Sequence, residues 1–461
     1  MGGIFMRTGN RRSPRIRPIV PASVFALGLL ALGGVARAQT SLNAEIDRLV
    51  EAEYESLFAL YRTLHAEPEI TLQEEKTGER MAAELRRLGF EVTTRVGGFG
   101  VVGVLENGEG PTVMIRADTD GLPVKEETGL PYASQTTTVD DDGNTVYTMH
   151  ACGHDVHMTC WSGTARVLTA LKDRWSGTLV MIAQPAEERG MGANAMMRDG
   201  LFEKWPRPDY ALALHDDAEL PAGKVGYREG YGMANVDTVD ILVKGYGGHG
   251  AYPHRTIDPV VIAANVVVQL QTIVSRQVPP HDAAVVTVGS IHGGTKHNII
   301  PNEVRLQLTV RSYSDETRKL LLDSIARVSR GVAAAAGATG DLAPDVSEND
   351  EFTPSTYNTP ELVERSVAAM RSILGAENVI RMEPKTWGED FGRYGRAEPR
   401  IPIFMFTLGA QPRALFAASQ QEGGPRLPAL HSSQFAPEPE PTLKTGVQAM
   451  SAAAMDLLKK D

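Results

Sequence analysis

His150-Ala-Cys-Gly-His-Asp155 packs a thiol, two imidazoles and a carboxylate into six residues. Cys152 and His154 can converge where a loop turns into a helix. Gln184-Pro-Ala-Glu-Glu188 follows an apolar run directly. Adjacent glutamates in extended or turning backbone point different ways, so one can ligate a metal while the other faces its water. Asp118 and Asp120 stand just before Pro123, and His215 ends another apolar run. Catalytic sites for divalent metals need this mixture: N, O and S donors with an open position, and one unligated carboxylate to move protons. Each signal has a plainer reading on its own. A histidine at a strand end is more often a hydrogen-bonded surface residue, and Asp-x-Asp is commonly a turn or a helix start. Cys152 beside His150 or His154 could also serve a thiol hydrolase, but no further pattern of that chemistry accompanies it. Together, and in this order, the groups point to a metal centre.

Such segments need a scaffold that gathers them. Ala44–His65 and Glu74–Leu88 carry apolar residues at helical spacing, the second closed by Gly89. Val101–Leu105 and Thr112–Arg116 read as strands, Gly153–Leu171 as a helix, and Thr178–Ala183 and Tyr210–Leu214 as further strands, the last ending at His215. This alternation predicts a largely parallel sheet covered on both faces, with its site just after the strand ends. The middle differs. Asp237–Lys244, a Gly-rich turn, the helix Pro259–Arg276, strands Ala284–Ser290 and Val304–Arg311, and the helix Asp315–Ala334 form a β-α-β-β-α run, a two-layer unit. Alternation resumes near Thr359 and closes with the helix Leu443–Leu458. The expected fold is therefore α/β, a mostly parallel-sheet catalytic domain in two parts (39–233 and 341–461) around an inserted α+β domain (234–340). Asp140-Asp-Asp-Gly-Asn144 reads as a hairpin tip before Val146.

The first 38 residues read as an address. Six arginines and no acidic residue surround the apolar stretch Val24–Val35, and Ala36-Arg37-Ala38 follows, the layout of a secretory signal peptide cleaved before Gln39. Its apolar core is shorter than the ~20 residues a membrane span needs. Val260–Val274 is also apolar, but Asn265, Gln269 and Gln271 interrupt it, so no stable span is expected after cleavage. Export to the periplasm or beyond is the expected location. Losing the signal segment takes the formal charge from −11 to −17, which argues against a nucleic-acid partner. The only cysteines are Cys152 and Cys160. On one helix they would stand about 12 Å apart, too far for a disulfide, and a metal explains an unpaired thiol in an oxidising compartment.

Arg116-Ala-Asp-Thr-Asp-Gly-Leu-Pro123, the His150 and Gln184 blocks, and His431-Ser-Ser-Gln-Phe435 resemble the motifs of the aminoacylase and carboxypeptidase G type of dinuclear metallopeptidases. Within that type the sequence is most similar to the branch of hippurate hydrolases and auxin-amino-acid-conjugate hydrolases. The resemblance begins at Leu64-His-Ala-Glu-Pro-Glu69 and runs almost to the C-terminus; the Cys-containing block is nearly diagnostic of the branch. It implies Cys152, His154, Glu188, His215 and His431 as ligands of two divalent ions per subunit (zinc or manganese, with cobalt or nickel as further options). It implies Glu187 as general base and Asp120 as the carboxylate that orients a ligand. The inserted domain resembles a lid and dimerisation domain, so a homodimer is expected. There His249, in Gly247-Gly-His-Gly250, matches the position that polarises the scissile carbonyl, and in relatives of this kind that histidine can reach the neighbouring subunit's site. Asn298 and Arg311 match positions associated with the substrate carboxylate, although a strand arginine could equally be a domain-packing ion pair. The implied reaction is hydrolysis of the amide of small N-acyl or aroyl amino acids. Dipeptides or C-terminal residues stay open as substrates, as does a silent binding protein, although Glu187 and every ligand are present. Three features depart from the pattern: Trp387 in Trp387-Gly-Glu-Asp-Phe391 where the family usually has Ser, Asp216 and Asp217 where apolar residues are commoner, and a long Thr137–Thr148 hairpin.

Overall fold

The computed structural model describes the backbone of residues 23–348 and 351–460, and side chains from residue 41 onward. Residues 1–22 of the expected signal peptide lie outside the described residues; the remainder falls in the helix Ser23–Ala66. Met1–Glu45 and Ile46–Asp461 form two compact units, and every candidate site residue belongs to the second.

The main sheet has eight strands, in the order Glu91–Val96, Gly100–Asn107, Gly177–Gln184, Thr112–Asp118, Tyr210–Pro221, Ile403–Gln411, Val225–Tyr227 and Val379–Arg381. The four middle strands run parallel; antiparallel pairing joins them to the strands on either side, and the outermost pairs are antiparallel at one edge and parallel at the other. Ile403–Gln411 is buried at every position, as expected of a near-continuous apolar run covered on both faces. The helices Glu75–Arg87, His154–Ala170, Pro360–Leu374 and Pro439–Leu457 accompany this sheet. Register sets Asp118 opposite Gln184, so the Asp118–Asp120 and Gln184–Glu188 segments leave the sheet side by side at its C-terminal edge.

Two local expectations change. The strand expected to end at His215 continues to Pro221, so His215 sits inside it. Asp216 and Asp217, where the family pattern has apolar residues more often, are both buried and partnered: His157 Nε2 meets Asp216 Oδ1 at 3.0 Å, and Lys385 Nζ lies 3.2 Å from Asp217 Oδ2. The helix expected to hold both cysteines starts at His154, which leaves Cys152 in the preceding turn. Gly153 makes that turn in the left-handed region at φ 72°. Both thiols are buried and free.

The inserted unit is a fully antiparallel sheet ordered Val285–His292, Glu303–Ser312, Asn235–Lys244 and Asp345–Glu348. Its last strand lies past residue 340. Val304, Leu306, Leu308 and Val310 alternate inward and join Ile262, Leu270 and Leu321 from the helices Pro259–Arg276 and Asp315–Ala335 in a core of their own. Side-chain caps start both helices, with Asp258 accepting from the Val260 N–H at 2.9 Å and Ser314 from the Thr317 N–H at 3.0 Å. Despite its three amides, Pro259–Arg276 is long and apolar enough to cross a membrane, but it buries one face in this core.

A side chain at 153 would be strained by the left-handed backbone and would land on the Asp216 carboxylate. Gly153→Ala should therefore cost at least about 1–2 kcal/mol from the backbone alone. Urea unfolding measures this; an unchanged midpoint would show that the turn can relax away from Asp216.

Candidate metal centre

The site is assembled from segments that leave the main sheet or abut it. The turn before His154–Ala170 supplies Cys152, and its Ala151 carbonyl accepts the His431 N–H at 2.8 Å. That contact locks in His431, whose φ of 64° is unusual for a non-glycine residue. Asp120 organises the glutamates: its two oxygens accept the Glu187 and Glu188 N–H groups, each at 3.1 Å, and the Thr71 hydroxyl at 2.7 Å. His154 Nδ1 lies 3.5 Å from Asp120 Oδ1.

The donors converge. Cys152, His154 and His215 offer ligand atoms within 4.8 Å of one another; so do Cys152, Glu188 and His431, and His154, Glu187 and Glu188. The Cys152 sulfur faces His215 Nε2 at 3.6 Å and His431 Nε2 at 3.3 Å. His431 Nε2 is 3.5 Å from Glu188, and His154 Nε2 is 3.8 Å from it. Both ring nitrogens of His154 and one Glu188 oxygen are buried with no hydrogen-bond partner, a costly arrangement unless something else satisfies them. Divalent cations fit it: a thiolate, imidazoles and a carboxylate are the donors such ions take.

Electrostatics point the same way. Burial pushes the Cys152 thiol well above its ordinary range and, with the charge on His157, holds His215 well below its own. Glu188 is pushed up to about 7, chiefly by burial. Glu187 rises well above the usual carboxylate range through burial and then the charges of Glu389, Glu188 and Asp390. A bound cation would reverse the balance for thiol and carboxylate alike.

An outer layer holds these donors, and its histidine, His157, is not among the candidates the sequence motifs offer. His157 lies one turn along the helix from His154 and bridges Asp118 at 2.6 Å and Asp216 at 3.0 Å. Burial opposes its charge, but Asp118 and Asp216 raise it to about 9. The i, i+3 spacing in His154-Asp-Val-His157 was its one visible signal. His215 directs Nδ1 to the Asp216 carbonyl at 2.7 Å, which leaves Nε2 for Cys152. Below them Arg116, wholly buried, reaches Asp118 and Glu389 at 2.7 Å each and Asp390 at 3.1 Å. Glu389 and Asp390 belong to the segment that begins at Trp387.

A cavity of about 610 Å³ opens above the donors, with Cys152, Glu187, Glu188, His215 and His431 on its floor. Arg311 reaches its wall from the inserted sheet, half-buried and without an ion-pair partner among the described residues. The departures from the family pattern meet here. Trp387 packs on His215 with ring centroids 4.6 Å apart, and Asp217 with Lys385 forms the neighbouring wall. Arg189 also lines the cavity, and Asp141 of the long hairpin pairs with it at 2.6 Å. His249 and Asn298 are not brought to this cavity within one chain. They lie on or beside the short exposed pair Gly248–His249 and Ile299–Ile300, where His249 Nδ1 accepts the Ala251 N–H at 3.0 Å.

The sequence pattern of peptidase family M20/M25/M40 matches residues 114–422. The chain belongs to this family. Thermostable carboxypeptidase 1 of Saccharolobus solfataricus is 33% identical over 408 residues, covering 88% of this chain and 96% of that one. The hippurate hydrolase of Campylobacter jejuni is 37% identical over 334 residues, covering 71% of this chain and 82% of the relative. A solved dinuclear metal-binding M20 peptidase of Bacillus subtilis matches with a TM-score of 0.71 at 28% identity, covering 88% of this chain and 99% of that one. The M20 chain is thus a metal-dependent amide hydrolase that uses divalent ions.

Removing the Arg116 guanidinium would leave Asp118, Glu389 and Asp390 buried without their cation. Arg116→Met should destabilise the M20 chain by about 3–5 kcal/mol, the usual cost of breaking a buried pair. A loss below about 1 kcal/mol in urea unfolding would mean that these carboxylates are protonated or rearranged instead.

Proposed function

We propose that this protein hydrolyses the amide bond of N-acyl or aroyl amino acids to a carboxylic acid and a free amino acid, using zinc or manganese. The observation that carries the reading is that one cavity holds Glu187 on its floor, beside the donor cluster, and on its wall Arg311, which has no ion-pair partner among the described residues. Cys152, His154, Glu188, His215 and His431 would hold two divalent ions. Such ions supply Lewis acidity, acidifying water and polarising a carbonyl.

The chain's own residues do the rest. Glu187 takes a proton from the attacking water and returns it to the leaving nitrogen. Asp120 fixes both glutamates through their N–H groups. Arg311 pairs with the free carboxylate of the substrate, which favours substrates ending in an amino acid. Trp387, Leu430 and Ala218 give the cavity an apolar side for the acyl group. The similarity to a hippurate hydrolase supports an aroyl substrate, and that to a carboxypeptidase supports a peptide as the second reading. Export through the 1–38 signal peptide and a homodimer in which His249 acts across the interface complete the reading; the exposure of His249 outside its own cavity supports the latter.

Purified enzyme assayed on N-acetyl, N-benzoyl and dipeptide substrates, with metal analysis, decides among these. Turnover confined to dipeptides would overturn the amidase reading. Glu187→Gln keeps the shape but cannot take the proton, so kcat should fall about 10²–10⁴-fold with metal content unchanged. A variant retaining above about a tenth of wild-type kcat, beyond that expectation for a lost base, would remove Glu187 from the role.

His249→Ala and Glu187→Gln should each be nearly inactive. Mixed under subunit exchange, they should recover up to about a quarter of wild-type activity, the statistical limit for one intact site in half of the dimers. Demonstrated exchange without recovery would place His249 in its own subunit's chemistry or outside the chemistry altogether.

A further inference from the structure

The helix Ser23–Ala66 ends beside a buried histidine that the mechanism does not use. His65 Nδ1 lies 2.7 Å from Asp155 Oδ2 and its Nε2 3.0 Å from Glu126 Oε1, with all three side chains essentially inaccessible. Both ring nitrogens face carboxylates, so both donate and the ring carries a full positive charge. Burial opposes that charge, but Asp155 and Glu126 raise the group to about 10. Tyr132 and Tyr61 close over the ring with centroids at 5.2 and 5.5 Å.

The two carboxylates belong to different parts of the site. Asp155 adjoins His154 and anchors the start of its helix by accepting the Val156 N–H at 2.9 Å. Glu126 adjoins Glu127, which donates its N–H to the Ser433 carbonyl at 2.7 Å and accepts the Ser433 hydroxyl at 2.8 Å. Ser433 is two residues beyond His431, and the His431 N–H returns to the Ala151 carbonyl beside Cys152. The path closes on itself: His65, Asp155, the Cys152–His154 turn, His431, Ser433, Glu127, Glu126 and back to His65.

We propose that His65 is a positioning residue that closes this ring and so holds His431 against Cys152 for metal retention, a role that rests on the ligand assignment above. His431 depends on such support more than the other donors. Its side chain is 54% exposed and its backbone is in the left-handed region, a conformation that persists only where the surroundings over-determine it. Opening the ring at His65 frees the Glu126–Ser433 side, and the site falls toward a single tightly held ion. Partners behind metal-binding side chains typically contribute about 10–100-fold in affinity.

The test is competition of the purified protein against a chelator of known affinity for zinc, with bound metal counted. Wild type should retain two ions. His65→Gln, whose amide can donate to one carboxylate only, should lose one of them about 10–100-fold more readily. Added zinc should restore its kcat while KM stays at the wild-type value. Glu126→Gln reports the same link without touching the helix, and serves if His65→Gln does not fold. Ser433→Ala weakens the ring on its far side by removing the hydroxyl bond to Glu127 while the backbone bond stays, so combining it with His65→Gln should weaken binding by less than the sum of the two single changes. Two ions held with wild-type affinity in His65→Gln or Glu126→Gln, despite a lowered Tm, would reduce His65 to a packing role and overturn the proposal while leaving the ligand assignment intact. Strictly additive losses would break the ring argument. A wild type that binds no metal would overturn the ligand assignment and this proposal together.

Discussion

Burying an ionised carboxylate costs several kcal/mol unless something neutralises it, and the C-terminal edge of the main sheet buries Asp118, Asp120, Asp155, Glu187, Asp216, Glu389 and Asp390 together. The surrounding structure is arranged to meet that cost. Arg116 serves Asp118, Glu389 and Asp390. His157 serves Asp118 and Asp216, and His65 serves Asp155 and Glu126. After these cations are assigned, Asp120, Glu187 and Glu188 have only His154 to share among them, beside the Cys152 sulfur, which leaves a local deficit of positive charge. The deficit falls where the nitrogen and sulfur donors converge, which is the physical content of a site built for divalent cations.

This also explains why the raised proton affinity of Glu187 and the requirement for cations are one property. Burial, and then the charges of Glu389, Glu188 and Asp390, hold the proton on Glu187, and cations on the neighbouring donors would draw it off. A carboxylate poised between these influences can change state during a reaction, as a general base must. The Trp387-Gly-Glu-Asp-Phe391 segment thus acts at two depths: Trp387 shapes the cavity beside His215, while Glu389 and Asp390 set the field beneath it.

What the sequence made legible follows from how local each feature is. The Cys152–His154 turn, the Glu187–Glu188 pair and the apolar strands before them are contiguous, so their chemistry could be read directly. The alternation in Glu303–Ser312 and the capped helix Pro259–Arg276 likewise carry their own boundaries. The apolar run before His215 stops at Leu214, but the strand continues to Pro221 because the polar Asp216 and Asp217 find distant partners in His157 and Lys385. Arg116 and Glu389, 273 residues apart, form a pair that no spacing rule could suggest. The same holds for His65 and Asp155, 90 residues apart.

The inserted sheet sets a limit on what one chain can bring to one substrate. Asn235 pairs with Ser312 at one end of its central strands, and Lys244 with Glu303 at the other. Val236 and Arg311 occupy the first end and line the cavity, whereas His249 and Asn298 extend beyond the second. At about 3.3 Å per residue, the stretch from Glu303 to Arg311 alone spans roughly 26 Å. A small N-acyl amino acid is far shorter than that, which argues against one substrate meeting Arg311 and His249 of the same chain while the sheet stays intact. If both residues act on one substrate, as their positions in the family pattern imply, they must come from different copies. In the proposed dimer the antiparallel sheet would act as a rigid arm, its near end presenting Arg311 to its own subunit's cavity and its far end presenting the His249 imidazole to a neighbour. Its rigidity matters because an oxyanion donor contributes only when held at the right distance and angle, and a paired β-ladder with its own packed core holds such a position better than a free loop.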